Sequence, residues 1–134
     1  MQDWPERERY TAEDLLQIIR ILRDRENGCP WDKVQTHASI RKNFLEETCE
    51  ALEAIDADDA AMMREELGDV LFAAVRVAST LDKDPEQALH SACEKFIKRF
   101  TAMEQSILAS GRTLEELSRE ELLASWDAQK RNGR

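Results

Sequence analysis

Hydrophobic residues recur every three or four positions along most of the chain, which is the spacing of one face of an α-helix. Residues that cap or break helices separate these runs. Five helices are predicted, over 12–25, 40–55, 60–81, 85–110 and 119–129. Polar and turn-forming residues interrupt the pattern over 27–38, which predicts a loop. The sequence therefore predicts an all-α fold.

The second and third predicted helices are joined by the short acidic segment 56–59, which predicts a turn and an antiparallel helical hairpin. The apolar side of the second helix is assigned to five residues: Ile40, Phe44, Leu45, Leu52 and Ile55. The third helix is apolar over most of its circumference from Val70 to Val77, a pattern typical of a bundle centre or a subunit interface. We therefore expect a helical bundle built on this hairpin, and a homodimer.

Composition supports a single helical domain. The 134 residues include only 4 glycines and 3 prolines. Together these are about 5% of the chain, whereas average usage is roughly 12%. A chain of this length has room for one hydrophobic core. The predicted organisation is an N-terminal extension over 1–10, one helical domain over 11–130 and a flexible tail over 131–134.

Charge and cysteine content exclude several classes of function. The formal net charge of −9 argues against a nucleic-acid polymer as partner, because such binding requires clustered cations. No apolar segment approaches the ~18–20 residues of a membrane helix, and the charged N-terminus does not resemble a signal peptide. The three cysteines include no C-x-x-C pair, so we expect reduced thiols and a cytoplasmic location.

Two acidic motifs lie on consecutive predicted helices: E-E-x-x-E at 46–50 and E-E-x-x-D at 65–69. A spacing of three places Glu47 and Glu50 on one face of the second helix. The same spacing places Glu66 and Asp69 on one face of the third helix. Glu47 and Asp69 are equally far from residue 58, in the predicted turn, and so are Glu50 and Glu66. A hairpin would therefore bring Glu47 opposite Asp69, and Glu50 opposite Glu66.

Four converging carboxylates would repel one another unless a divalent cation neutralised them, and all-oxygen ligands suit Mg²⁺, with Mn²⁺ as the alternative. Such a site would bind polyphosphates, and Glu46 or Glu50 could accept a proton from an attacking water. The alternative interpretation is a solvated acidic helix face. A di-iron centre is disfavoured, because neither His37 nor His90 follows a glutamate at a spacing of three.

Basic and aromatic residues at helical spacing occur later in the chain. Lys95 and Arg99 share one face of the fourth helix, and Trp126 and Lys130 repeat that spacing on the last helix. These side chains could bind phosphates and stack on a base. Charge balance and core packing explain the same residues without a ligand.

Taken together, the motifs resemble the MazG family of nucleoside triphosphate pyrophosphohydrolases. The resemblance rests on C-P-W-D-x-x-Q-T at 29–36, the two acidic motifs, K-F-x-x-R-F at 95–100 and W-x-x-x-K at 126–130. It implies an all-α homodimer that uses Mg²⁺ to hydrolyse an NTP or dNTP to the monophosphate and pyrophosphate, in clearance of unwanted nucleotides.

The resemblance to the MazG family also assigns roles to individual residues. The implied metal ligands are Glu47, Glu50, Glu66 and Asp69. The implied nucleotide contacts are Lys95, Arg99, Trp126 and Lys130, with Trp31 and Asp32 of the C-P-W-D loop beside the nucleotide.

Other functions remain open at this stage. A related all-α enzyme, dUTPase-like or a phosphoribosyl-ATP pyrophosphohydrolase, would use similar chemistry, and the C-P-W-D loop favours the MazG type. A non-catalytic acidic helical interaction module is the alternative of a different class.

Overall fold

The computed structural model describes residues 2–81 and 84–133 of the chain. The described residues contain five α-helices, two short 3₁₀ turns and no strand, which confirms the all-α prediction. The helices are α1 (Ala12–Leu22), α2 (His37–Asp56), α3 (Ala60–Thr80), α4 (Pro85–Ala109) and α5 (Arg119–Asn132). Among them, none combines the length and apolarity that crossing a membrane would require.

The end of α1 and the start of α2 each differ from the prediction by three residues. The first helix ends at Leu22 rather than at residue 25, because the chain folds back so that the amide of Cys29 donates to the carbonyl of Leu22 at 2.8 Å. The second helix begins three residues early. Thr36 is its N-cap, and Ser39 completes a capping box as the third helical residue, each side chain accepting from the other's backbone amide.

A three-residue turn joins α2 to α3, as predicted. Asp58 in this turn has a φ of 51°, a left-handed conformation that aspartate tolerates better than most residues. Asp59 caps α3, and its side chain accepts from the amide of Met62 at 3.1 Å. The hairpin that positions the acidic motifs is therefore defined by local backbone chemistry.

The chain divides into two compact units, residues 1–88 and residues 89–134. In the first unit α2 packs against α3, and α1 also packs on α3. Its buried hydrophobic residues are Leu16, Ile19, Ile40, Ala51, Ala54 and Ala73. The alanines allow α2 and α3 to approach closely where they pack.

The second unit contains buried Met103 and Ile107 on α4. Here α5 continues to Asn132, three residues beyond the predicted end, so residues 131 and 132 of the expected flexible tail are helical. The basic residues of its last turn, Lys130 and Arg131, favour this extension because they complement the helix dipole.

The assignment of α2's apolar side was wrong for four of its five residues. Only Ile40 is buried, and the exposed ones are Phe44, Leu45, Leu52 and Ile55. The inward face instead follows Ile40, Ala51 and Ala54, because small residues allow the closest helix contact. Glu47 is seven residues from both Ile40 and Ala54 and four from Ala51, so it lies on the same helix face and its carboxylate turns toward α3.

Candidate functional site

Three carboxylates from the hairpin converge. Glu47 of α2 and both Glu66 and Asp69 of α3 each place one oxygen so that all three oxygens lie within 4.8 Å of one another. Glu47 and Glu66 are half-buried, whereas Asp69 is exposed. The equal distance of the two motifs from the turn accounts for the convergence.

The carboxylates interact unfavourably when no cation is near. Burial and the charges of Glu50 and Asp69 raise the pKa of Glu47, and Arg76 partly offsets this. Burial and the same two charges also raise the pKa of Glu66. The Oε2 atom of Glu66 is buried and has no hydrogen-bond partner among the described residues. This donor set of hard oxygens, with one acceptor left unsatisfied, fits Mg²⁺ or Mn²⁺.

Glu50 and Glu46 lie outside this group of three. Glu50 is exposed, and its charge contributes to the raised pKa values of both Glu47 and Glu66. Glu46 forms a 3.8 Å ion pair with Lys42 on the solvent side of α2. Their predicted roles as ligand or base therefore stay predictions.

A cavity of about 270 Å³ lies beside the carboxylates. Its walls are formed by Asn43, Glu47, Asp69, Phe72, Ala73 and Arg76. The Oδ1 atom of Asn43 is buried there and accepts no hydrogen bond from the described residues. The cavity is thus lined by negatively charged Glu47 and Asp69 and by positively charged Arg76.

Two residues of the C-P-W-D loop contact Arg76, which lines this cavity. Asp32 is buried, and its Oδ1 lies 3.2 Å from Nε of Arg76. Half-exposed Trp31 places its ring centre 5.4 Å from the guanidinium carbon, and the Phe72 ring lies at 4.9 Å. Sequence reasoning missed Arg76. The available signal was a single arginine within the otherwise apolar run of α3.

The remaining predicted nucleotide contacts all belong to the second unit. Lys95 and Lys130 are exposed, whereas Arg99 and Trp126 are half-buried. Trp126 packs against Phe96 with ring centres 5.4 Å apart and an interplanar angle of 50°. Their role in nucleotide binding stays a prediction.

The sequence model of the MazG nucleotide pyrophosphohydrolase domain matches residues 35–103, just over half of the chain. The chain belongs to the MazG nucleotide pyrophosphohydrolase family. The matched segment includes all three converging carboxylates, together with Arg76.

Relatives and a solved structure agree with this assignment. The chain is 39% identical over 113 residues to a nucleoside triphosphate pyrophosphohydrolase of Escherichia coli K12, covering 84% of this chain and 42% of the relative. It is 42% identical over 95 residues to nucleoside triphosphate pyrophosphohydrolase/pyrophosphatase MazG of Thermotoga maritima, covering 65% and 35%. The chain thus spans less than half the length of these relatives. A MazG-related protein of Thermotoga maritima superposes with a TM-score of 0.61 at 30% identity, covering 90% of this chain and 99% of that one.

Proposed function

We propose that the chain hydrolyses nucleoside triphosphates, NTP or dNTP, to nucleoside monophosphate and pyrophosphate in a Mg²⁺-dependent reaction. The observation that carries the proposal is the convergence of Glu47, Glu66 and Asp69 beside a cavity that also presents Arg76. Membership of the MazG family and the names of the relatives support the same reaction.

The three converging carboxylates would hold the cation, with Glu50 as a further ligand. When bound, Mg²⁺ or Mn²⁺ would neutralise phosphate charge and make water a better nucleophile. By holding that cation, the carboxylates would also orient the phosphate chain. Burial and the charges of neighbouring carboxylates raise the pKa values of Glu47 and Glu66, and a bound cation would relieve that repulsion.

The reaction breaks the anhydride bond between the α- and β-phosphates, and water supplies the new oxygen. A nearby carboxylate must accept the proton that water loses. Glu50 and Glu46 are the candidates. Both are exposed, and each is near enough to Glu47 to raise the pKa of that carboxyl.

Further nucleotide contacts are proposed on α4 and α5. Lys95, Arg99 and Lys130 carry the positive charge that stabilises a polyphosphate, and Trp126 offers an aromatic face for the base. This assignment rests on the match of these residues to MazG motifs.

We further propose a cytoplasmic homodimer that removes unwanted nucleotides. The three free cysteines fit a reducing compartment, where nucleotide pools also occur. Exposed Leu45, Leu52 and Ile55 on α2 and Leu71 on α3 are typical of a surface that a second copy covers.

The test is pyrophosphate release from a panel of NTPs and dNTPs, with Mg²⁺ and with EDTA. We expect Mg²⁺-dependent release with monophosphate as co-product, and the panel separates a MazG activity from a dUTPase-like or phosphoribosyl-ATP one. Asp69→Asn should lower kcat by at least about 100-fold without unfolding, because it removes a carboxylate that would hold the cation.

The matched control is Glu53→Gln, an exposed acid on α2 outside the cluster of carboxylates. This variant should retain wild-type activity. Full activity in Asp69→Asn would contradict the metal assignment. A folded protein that Mg²⁺ does not stabilise, and that releases no pyrophosphate, would favour a non-catalytic interaction module.

A further inference from the structure

Arg76 is a largely buried cation at the candidate site. Its side chain is 17% exposed, and it lines the cavity together with Glu47 and Asp69. On α3 it follows Asp69 by seven residues, about two helical turns, so both side chains lie on the same face. A positive group and the carboxylates therefore border the same space.

Contacts on several sides hold this guanidinium. Asp32, whose side chain is 8% exposed, forms the ion pair with Nε. The rings of Trp31 and Phe72 lie against the guanidinium. The loop that carries Asp32 is itself anchored, because Nη1 of Arg23 donates to the carbonyls of Asp32 at 2.9 Å and Gln35 at 3.1 Å.

Stability alone is a weak explanation for this arrangement. Desolvating two charges costs free energy, and a buried ion pair often contributes no more than apolar residues of similar volume would. A guanidinium also carries five N–H donors, so an ion pair through Nε does not use its full capacity. Its planar donors match the oxygens of a phosphate group.

The cavity needs a cation for the proposed substrate. Glu47 and Asp69 repel phosphate, and a metal held by the carboxylates can balance only part of the charge of a triphosphate. We infer that Arg76 binds a non-bridging oxygen of the triphosphate chain, and that Asp32 and Trp31 are positioning residues for Arg76. This inference rests on the proposed function. It changes the expected role of Asp32 from touching the nucleotide to holding the residue that does.

The experiment compares three proteins by calorimetric titration with inorganic tripolyphosphate, in the presence and absence of Mg²⁺. Arg76→Gln should weaken tripolyphosphate binding by about tenfold, the loss typical of one charge-assisted hydrogen bond. Arg64→Gln is the matched control, because this exposed arginine on the same helix does not line the cavity. It should change affinity by less than about twofold, as expected for an exposed charge.

Kinetics and melting temperature separate binding from a structural role. In Arg76→Gln, KM for the nucleotide should rise with the dissociation constant. A lower melting temperature with unchanged tripolyphosphate affinity would overturn the inference. Arg76→Lys keeps the charge but not the paired donors, so it should bind tripolyphosphate with intermediate affinity.

Asp32→Asn tests positioning. It should weaken tripolyphosphate binding in the wild-type background and have no further effect when combined with Arg76→Gln, because it acts through that side chain. Additive losses would contradict this. If Arg76→Gln does not fold, wild-type affinity in both Arg76→Lys and Asp32→Asn would overturn the inference. If the wild-type protein hydrolyses no nucleotide, only the proposed function is contradicted. The inference about Arg76 is tested separately, because the titrations measure binding and not turnover.

Discussion

Ionised Glu66 is unfavourable in the folded state when no cation is bound. Burial and the surrounding carboxylates raise its pKa, and one of its oxygens is buried without a hydrogen-bond partner among the described residues. An ionised Glu66 therefore opposes folding when no cation is present. The penalty is complete above the raised pKa of the folded state and disappears below the ordinary value of 4.5.

Glu66→Gln should accordingly raise the melting temperature in EDTA at pH 7. The difference from wild type should shrink as the pH falls toward 5, because the wild-type carboxyl then takes up a proton more readily in the folded state. Mg²⁺ should stabilise the wild type more than the variant. Thermal melts across this pH range provide the measurement, with Glu53→Gln as the control. A variant that is less stable than wild type in EDTA at pH 7 would contradict the argument.

The acidic residues of the site could be predicted from the sequence, and Arg76 could not. Glu47, Glu66 and Asp69 belong to motifs with helical spacing that are equally far from one turn, so local geometry brings them together. Arg76 acquires its partner from the loop residue Asp32, and no periodic pattern reports a contact between segments so far apart in sequence. In the sequence, Arg76 could simply mark the end of the apolar stretch of α3, so it gave no sign of a binding role.

At the scale of the element, the α2–α3 turn determines the register of the hairpin. Asp58 adopts a left-handed conformation that would be costly for most side chains. A different turn would displace Glu47 from Asp69 and disperse the carboxylates.

Asp58→Ala should therefore lower the free energy of unfolding by about 1 kcal/mol, because alanine tolerates a positive φ poorly. Asp58→Asn is the matched control and should remain near wild type, since asparagine tolerates this conformation. Urea unfolding in EDTA measures both. Equal stability of the alanine and asparagine variants would indicate that the turn rearranges freely.

Helix number and order could be predicted from periodicity, whereas the buried face of α2 could not. The prediction placed Phe44, Leu45, Leu52 and Ile55 on the apolar side of α2, and all four are exposed. The actual contact uses Ala51 and Ala54, because close approach of two helices favours small residues. Hydrophobicity alone does not distinguish a face that packs within the chain from one that remains exposed.

At the scale of the whole molecule, the exposed apolar residues of α2 support the proposed homodimer. Leu45 is 63% exposed and Leu52 is 55% exposed, one heptad apart on the same helix face. The double variant Leu45→Glu/Leu52→Glu should be monomeric at micromolar concentration, because burying two carboxylates in an interface costs more than it gains. Light scattering measures this, with Glu53→Lys as the control. A wild-type monomer, or a double variant that stays dimeric, would contradict the assignment.

All three converging carboxylates belong to one hairpin, closed by a three-residue turn. The site therefore lies within one hairpin, whose formation closes a shorter loop than a site assembled from distant segments of the chain would. We expect a divalent cation to stabilise this hairpin in the folding transition state as well as in the native protein. In that case Mg²⁺ would accelerate refolding of the chain more than it slows unfolding, and the candidate metal site would serve as a folding nucleus.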